Sequence, residues 1–222
     1  MDSKRISLFM GHYGSGKSFS AVNYAYMLKA QNKKVSVYDL DIVNPYFRTI
    51  DAERELKTRG IDLVVSKFAE TNVDVPALNP ASYRMIADKN QYAVIDVGGD
   101  DRGALALGRF AEDIKKENDY DAFWVINCFR PETRTIEDAL LIKKEIEYAS
   151  KIPFTAIVNN SNLGQLTALE DIVKGYEFCQ ELEKQTGLPI KFTSVREDLI
   201  TNEIKQDIGE ILSVKPIEYK IW

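Results

Sequence analysis

Short apolar runs alternate with longer helical patterns along the chain. The runs at 6–10, 35–39, 61–66, 92–97, 122–127, 154–159 and 190–194 are rich in β-branched and aromatic residues. They lack strict alternation, the pattern of strands buried on both faces. Between them, apolar residues recur at helical spacing over 18–31, 49–59, 80–89, 102–118, 131–150 and 167–186, with a further helix near 200–212. In the first of these, Val22, Tyr26 and Lys29 or Ala30 share a face. The 131–150 helix opens on Pro131-Glu132 and carries Ile136, Leu140, Leu141 and Ile146 as an apolar stripe. Gly187-Leu188-Pro189 stops the longest helix and leads into a strand, and residues 216–222 read as a short strand or docked tail. This alternation implies an α/β fold, a doubly wound, mostly parallel sheet of about seven strands with helices on both faces. No repeat or linker divides it, so a single domain over 1–222 is expected.

Ligands of such sheets bind at the carboxyl ends of the strands. After the first strand comes Gly11-His12-Tyr13-Gly14-Ser15-Gly16-Lys17-Ser18, which fits G-x-x-x-x-G-K-[ST] and opens a helix. The glycines let backbone N–H groups turn inward around an anion, Lys17 supplies charge for the outer phosphates, and the Ser18 hydroxyl can ligate Mg²⁺. The helix dipole favours the same anion. The alternative is a glycine-rich turn that merely joins strand to helix. The motif and its placement point to a bound nucleoside triphosphate.

The second strand runs into Asp39-Leu40-Asp41, two carboxylates on one side of the chain. One could orient an attacking water and the other could hold a water of the Mg²⁺ shell; an Asx turn ending a strand is the plain alternative. The fourth strand ends in Asp96-Val97-Gly98-Gly99, a D-x-x-G pattern. It places a metal-side carboxylate and a glycine N–H that can sense the terminal phosphate, although strand-ending Asp with glycines also makes ordinary turns. After the sixth strand, Asn159-Asn160-Ser161-Asn162 offers amides that match the donor and acceptor of adenine, and it lacks the Lys and Asp of a guanine-reading N-K-x-D. Asn-rich stretches are also common loops.

Composition narrows the partners. A net charge of −5 argues against broad electrostatic binding to nucleic acid or anionic membrane. Cys128 and Cys179 are far apart and outside any C-x-x-C pair, as expected of reduced thiols. The start, Met1-Asp2-Ser3-Lys4-Arg5, enters a strand without a signal-peptide core, and no apolar run reaches membrane-spanning length. A cytoplasmic protein is expected.

The P-loop, Asp39-Leu40-Asp41, Asp96-Val97-Gly98-Gly99 and Asn159 together resemble the ParA/MinD/Mrp family of deviant P-loop ATPases, over roughly 5–164. That branch also holds nitrogenase iron protein and the cobyrinate and dethiobiotin ligases. The resemblance implies ATP and Mg²⁺ as cofactors. It makes Lys17, Asp41 and Asp39 the catalytic candidates, Asp41 as the carboxylate that orients water. Ser18, Asp41 and Asp96 become the metal candidates. The nucleotide-facing set is Gly11, Tyr13, Gly14, Ser15, Gly16, Lys17, Ser18, Phe19, Gly99, Asn159 and Asn160, with Asn159 as the adenine reader.

The chain departs from the family pattern K-G-G-x-G-K-[ST]. His12, its only histidine, stands at the lysine that reaches across a dimer, and Tyr13 replaces a glycine. A neutral imidazole is no substitute for a permanent cation. A charge supplied in trans would come from Arg48, Arg102 or Arg130. Without paired loop cysteines or a basic amphipathic C-terminal helix, neither a bridging iron–sulfur cluster nor a MinD-type membrane anchor is expected.

Three functions fit these residues. The first is a Mg²⁺-dependent ATPase acting as a switch, with an ATP-dependent homodimer and a protein partner. The second is an ATP-dependent kinase or ligase for a small molecule, with 44–48 and 100–102 lining a substrate pocket. The third is a binding module that uses ATP only structurally, against which the retained Lys17, Ser18, Asp41 and Asp96 count.

Overall fold

The computed structural model of the chain describes residues 2–40, 49–65, 83–99 and 101–215. Among the described residues eight parallel strands form one sheet, β1 (Ile6–Met10), β2 (Val35–Leu40), β3 (Asp62–Val65), β4 (Tyr92–Val97), β5 (Tyr120–Ile126), β6 (Ala156–Asn159), β7 (Ile190–Arg196) and β8 (Ile211–Val214). Their order is β3-β2-β4-β1-β5-β6-β7-β8, every neighbouring pair parallel. The helices are α1 (Lys17–Ala30), α2 (Glu53–Thr58), α3 (Arg84–Ala87), α4 (Asp101–Gly108), α5 (Ala111–Glu117), α6 (Ile136–Ser150), α7 (Leu169–Thr186) and α8 (Asn202–Asp207). The doubly wound α/β sheet read from the sequence is the fold observed.

Central strands bury alternate side chains in two layers. Phe9, Val37, Val94, Phe123 and Val125 pack with α1 and α2, while Leu8, Met10, Ile95 and Trp124 pack with residues of α4 to α7. Under α1, Phe9, Tyr24 and Phe123 meet edge to face with centroids 5.2–5.6 Å apart, and Phe192 stacks on Tyr24 at 5.8 Å. Such pairs add about 0.5–1.5 kcal/mol each beyond the area they bury. Helix α1 is therefore buried on most sides, and its expected single apolar face is too narrow a description: Tyr24, Ala25 and Leu28 are as buried as Val22.

Several expected elements divide or shift. The helix expected over 102–118 is α4 and α5, interrupted after Gly108, where an added Cβ would lie 3.3 Å from the Ala149 carbonyl of α6. The 49–59 segment begins as a 3-10 turn, Thr49–Ala52, before α2. On α6 the expected stripe is wrong at one position, for Leu141 is 58% exposed while Ala139 and Ile142 face the core. The 200–212 helix ends at Asp207; Gly209 takes φ 65, and the chain re-enters the sheet as β8, burying Leu212 and Val214 on either side of exposed Ser213. The expected elements over 66, 80–82 and 216–222 lie outside the described residues. Among the described residues no helix is long and apolar enough to cross a membrane.

Candidate functional site

Strand β1 lies between β4 and β5, so the chain order reverses across it and a crevice opens at its carboxyl end. The loop from Gly11 fills that crevice. A Cβ on Gly11 would lie 2.5 Å from the Val125 carbonyl oxygen, so only glycine lets the chain leave β1 this close to β5. Gly14 and Gly16 hold left-handed φ values of 76° and 85°, which side chains disfavour. The Ser15 N–H donates to the His12 carbonyl at 3.2 Å, closing the turn. Lys17, only 4% exposed, curls back so that Nζ donates to the same carbonyl at 3.1 Å. Ser18 follows in the first turn of α1, where N–H groups without intrahelical partners point toward the crevice. His12 is turned outward: its Nδ1 lies 3.1 Å from the Tyr13 carbonyl and 4.0 Å from Glu132 Oε2.

On the β2–β4 side stand the carboxylates. Asp39 and Asp96 are the penultimate residues of their strands and sit opposite each other in the ladder, with Phe9 of β1 on the other flank of Asp96. Both are almost fully buried. Two carboxylates so placed repel unless cations compensate them. Thr49 Oγ1, also buried, donates to Asp96 Oδ2 at 2.6 Å. Asp41 lies outside the described residues.

The backbone of Gly99 rests against the glycine-rich loop. A Cβ there would fall 2.7 Å from Lys17 Nζ and 2.9 Å from the Tyr13 nitrogen. Ser18 stands in the first turn of α1, and the Asp39 and Asp96 carboxylates stand at the carboxyl ends of β2 and β4. Among the described residues no cluster of three or more His, Cys, Asp or Glu could hold a metal alone. Magnesium, which keeps several waters and takes few protein ligands, fits this set if phosphate oxygens supply the remainder.

On the β5–β6–β7 side the two asparagines part company. Asn160 turns back to the loop, and its Nδ2 donates to the Ser15 carbonyl at 2.7 Å. Asn159 is fully buried at the end of β6, and its Oδ1 accepts the Ser161 N–H at 3.0 Å. Phe19 is half-buried beside the aromatic cluster under α1.

Sequence reasoning missed the residues that lace the outer loops together. Asn127, at the end of β5, donates from Nδ2 to the Asn162 carbonyl at 3.2 Å. The Cys128 N–H donates to Ser161 Oγ at 3.1 Å. Arg196 pairs with Asp198 and sends Nη1 to the Gly164 carbonyl at 3.2 Å, tying the loop after β7 to the loop after β6. The only signal in the sequence was a polar residue at each strand end. Burial pushes the Cys128 thiol above its ordinary pKa, consistent with a reduced, unreactive side chain. Beside this network lies a groove of about 670 Å³, lined by Cys128, Phe129, Leu163 and Phe178 with Arg134, Lys174 and Glu177.

A parallel sheet with a glycine-rich phosphate loop at its topological switch, flanked by strand-end carboxylates, defines a nucleotide-binding protein of the P-loop class. The family model of the CobQ/CobB/MinD/ParA nucleotide binding domain matches residues 7–168, well over half of the chain, and the chain belongs to that family. No curated protein sequence matches it. Among solved structures it is similar to the signal recognition particle receptor FtsY of Elizabethkingia anophelis in complex with GDP, at 16% identity and TM-score 0.57, covering 95% of this chain and 65% of that one. FtsY of Mycoplasma mycoides gives 19% identity and TM-score 0.58, with 94% and 67% coverage. The cell division protein ftsY of Thermotoga maritima gives 19% and 0.57, with 92% and 68%. The chain thus spans about two thirds of each of these proteins, and the likeness is one of fold.

Proposed function

We propose that the chain is a Mg²⁺-dependent ATPase that works as a nucleotide-driven switch. The observation that carries this reading is Gly99, whose backbone lies against Lys17 Nζ and Tyr13. A terminal phosphate bound by Lys17 would press on that glycine, and its loss would release it. Water would attack the γ-phosphate as the bond to the bridging oxygen breaks and ADP leaves, with the developing charge stabilised by Lys17 and the loop amides. Ser18 and Asp96 would hold Mg²⁺, which would supply positive charge beside the phosphates. Asp41 orients the attacking water, with Asp39 beside it. The stretch after β6 lacks the Lys and Asp of a guanine-reading N-K-x-D, which favours adenine.

The test is molar mass in solution, with phosphate release, for the wild type and Asp41→Ala, each without nucleotide, with MgADP and with MgATP. A dimer confined to MgATP and enhanced in Asp41→Ala supports the switch. An unchanged mass with no ATP turnover overturns it. Competition between ATP and GTP decides the base.

The groove beside Phe129 and Phe178 favours a second reading, an ATP-dependent kinase or ligase for a small molecule. A cavity of this size accepts a metabolite, and Arg134 and Lys174 suit an acid. ADP release that depends on an added acceptor would select it over the switch.

A further inference from the structure

Arg130 lies in the loop after β5, and its Nε donates to the Gly14 carbonyl at 2.9 Å. A Cβ on Gly14 would be 3.5 Å from that nitrogen and 3.7 Å from Cδ, so the side chain lies along the bare backbone of the phosphate loop. Its own backbone is pinned. The Arg130 N–H and the Thr133 hydroxyl both donate to the Asn127 carbonyl, at 3.1 and 2.7 Å. Among the described residues no carboxylate pairs with the guanidinium and nothing bonds its two Nη groups, and the residue is exposed. The acid nearest in sequence, Glu132, faces His12 instead. A permanently charged fork with four unused donors is therefore fixed at the rim of an anion-binding loop.

We propose that Arg130 is the second cation of the phosphate site, engaging the outermost phosphate of a nucleoside triphosphate bound in its own chain. This rests on the nucleotide-binding reading above. The charge that His12 does not provide comes from a neighbouring loop. Because Nε already holds Gly14 of the same chain, no second protomer is needed to deliver it. Guanidinium suits the task, since one edge braces the loop while the other presents parallel N–H donors to phosphate oxygens.

The test compares dissociation constants for ADP and for a non-hydrolysable ATP analogue, each with Mg²⁺, in the wild type, Arg130→Ala, Arg130→Lys and Lys17→Ala. Thermal unfolding without nucleotide confirms that each variant is folded. Arg130→Ala should weaken the triphosphate about tenfold and the diphosphate less than about threefold, at any protein concentration, and Arg130→Lys should recover part of the loss. Equal losses for both nucleotides would make Arg130 a brace of the loop only and overturn the proposal. So would no loss for either, or a loss that appears only where dimers form. A wild type that binds neither nucleotide, or a Lys17→Ala that binds both normally, would instead overturn the nucleotide reading itself.

Discussion

Replacing Gly16 by alanine should destabilise the protein by about 2–5 kcal/mol, much of it through Asn160. Gly16 holds φ 85, where a Cβ costs about 1–2 kcal/mol. The new methyl would lie 2.1 Å from Asn160 Nδ2, displacing the amide that donates to the Ser15 carbonyl at 2.7 Å. Asn160 and Ser15 are buried, so the broken bond strands a carbonyl, at about 1–3 kcal/mol. The next atoms of Asn160 stand 3.4 and 4.0 Å away, so truncating that side chain to Cβ clears the space. A double-mutant cycle follows. Asn160→Ala alone loses the bond, and Gly16→Ala alone loses it and adds backbone strain. The double variant counts the bond once, so Gly16→Ala should cost only about 1–2 kcal/mol in the Asn160→Ala background. Urea unfolding followed by circular dichroism, without nucleotide and with an unchanged slope, measures all four corners. Losses that add within about 0.5 kcal/mol would refute the claim that Asn160 is what makes glycine necessary at position 16.

Other perturbations probe the opposite side of the crevice and the base of the sheet. Gly99→Ala would drive a methyl into the Tyr13 backbone, so the melting temperature should fall and nucleotide affinity should drop about tenfold or more; an unchanged dissociation constant by fluorescent-nucleotide titration would count against the contact. Thr49→Val removes the 2.6 Å bond to Asp96 and should cost about 1–3 kcal/mol while raising the Mg²⁺ concentration needed for triphosphate binding. An unmoved Mg²⁺ titration would confine Thr49 to a structural role. At the other end of the sheet, burial pushes the Glu117 carboxyl up, but hydrogen bonds from Arg5 and Lys89 outweigh it and leave the pKa below the ordinary value. Its stabilisation is therefore complete above about pH 4.3 and lost as pH falls through the lower folded value. Glu117→Gln should flatten the fall in unfolding free energy below about pH 4.3, and an identical acid slope would sink that account.

What was legible in the sequence follows from the range of each signal. The loop at 11–18 is readable because its backbone demands are local: tight approach at Gly11 and positive φ at Gly14 and Gly16. The strands are readable because central parallel strands must be apolar on both faces. The eighth strand was hidden because Ile204, Ile208, Ile211 and Leu212 keep helical spacing across the break at Gly209. Only the pairing of Thr193 with Ile211 shows where the helical run gives way to the sheet. Asn159 and Asn160 are alike as letters, yet pairing with Ile126 and Thr193 fixes one at the strand end and frees the next to turn toward Ser15. Thr49 and Arg130 meet partners 47 and 116 residues away, which no local pattern announces.

Contacts on both flanks position the phosphate loop. On the β5–β7 flank, Arg130 bonds Gly14, Asn160 bonds Ser15, Asn127 bonds Asn162 and Arg196 bonds Gly164, so these loops form one hydrogen-bonded plate with the phosphate loop. On the β2–β4 flank, Gly99 meets Lys17 and Tyr13 through backbone packing, and the Thr49–Asp96 bond joins residues of that flank to each other. Moving the plate requires breaking several hydrogen bonds at once, the buried one from Asn160 to Ser15 among them. In the proposed switch, the terminal phosphate would act between Lys17 and the loop after β4. Arg130 would then serve as a fixed reference point, a cation anchored to the plate against which that loop is drawn when a triphosphate is present. Such an arrangement lets one phosphate group bias a conformational equilibrium without loosening the half of the site that holds the rest of the nucleotide.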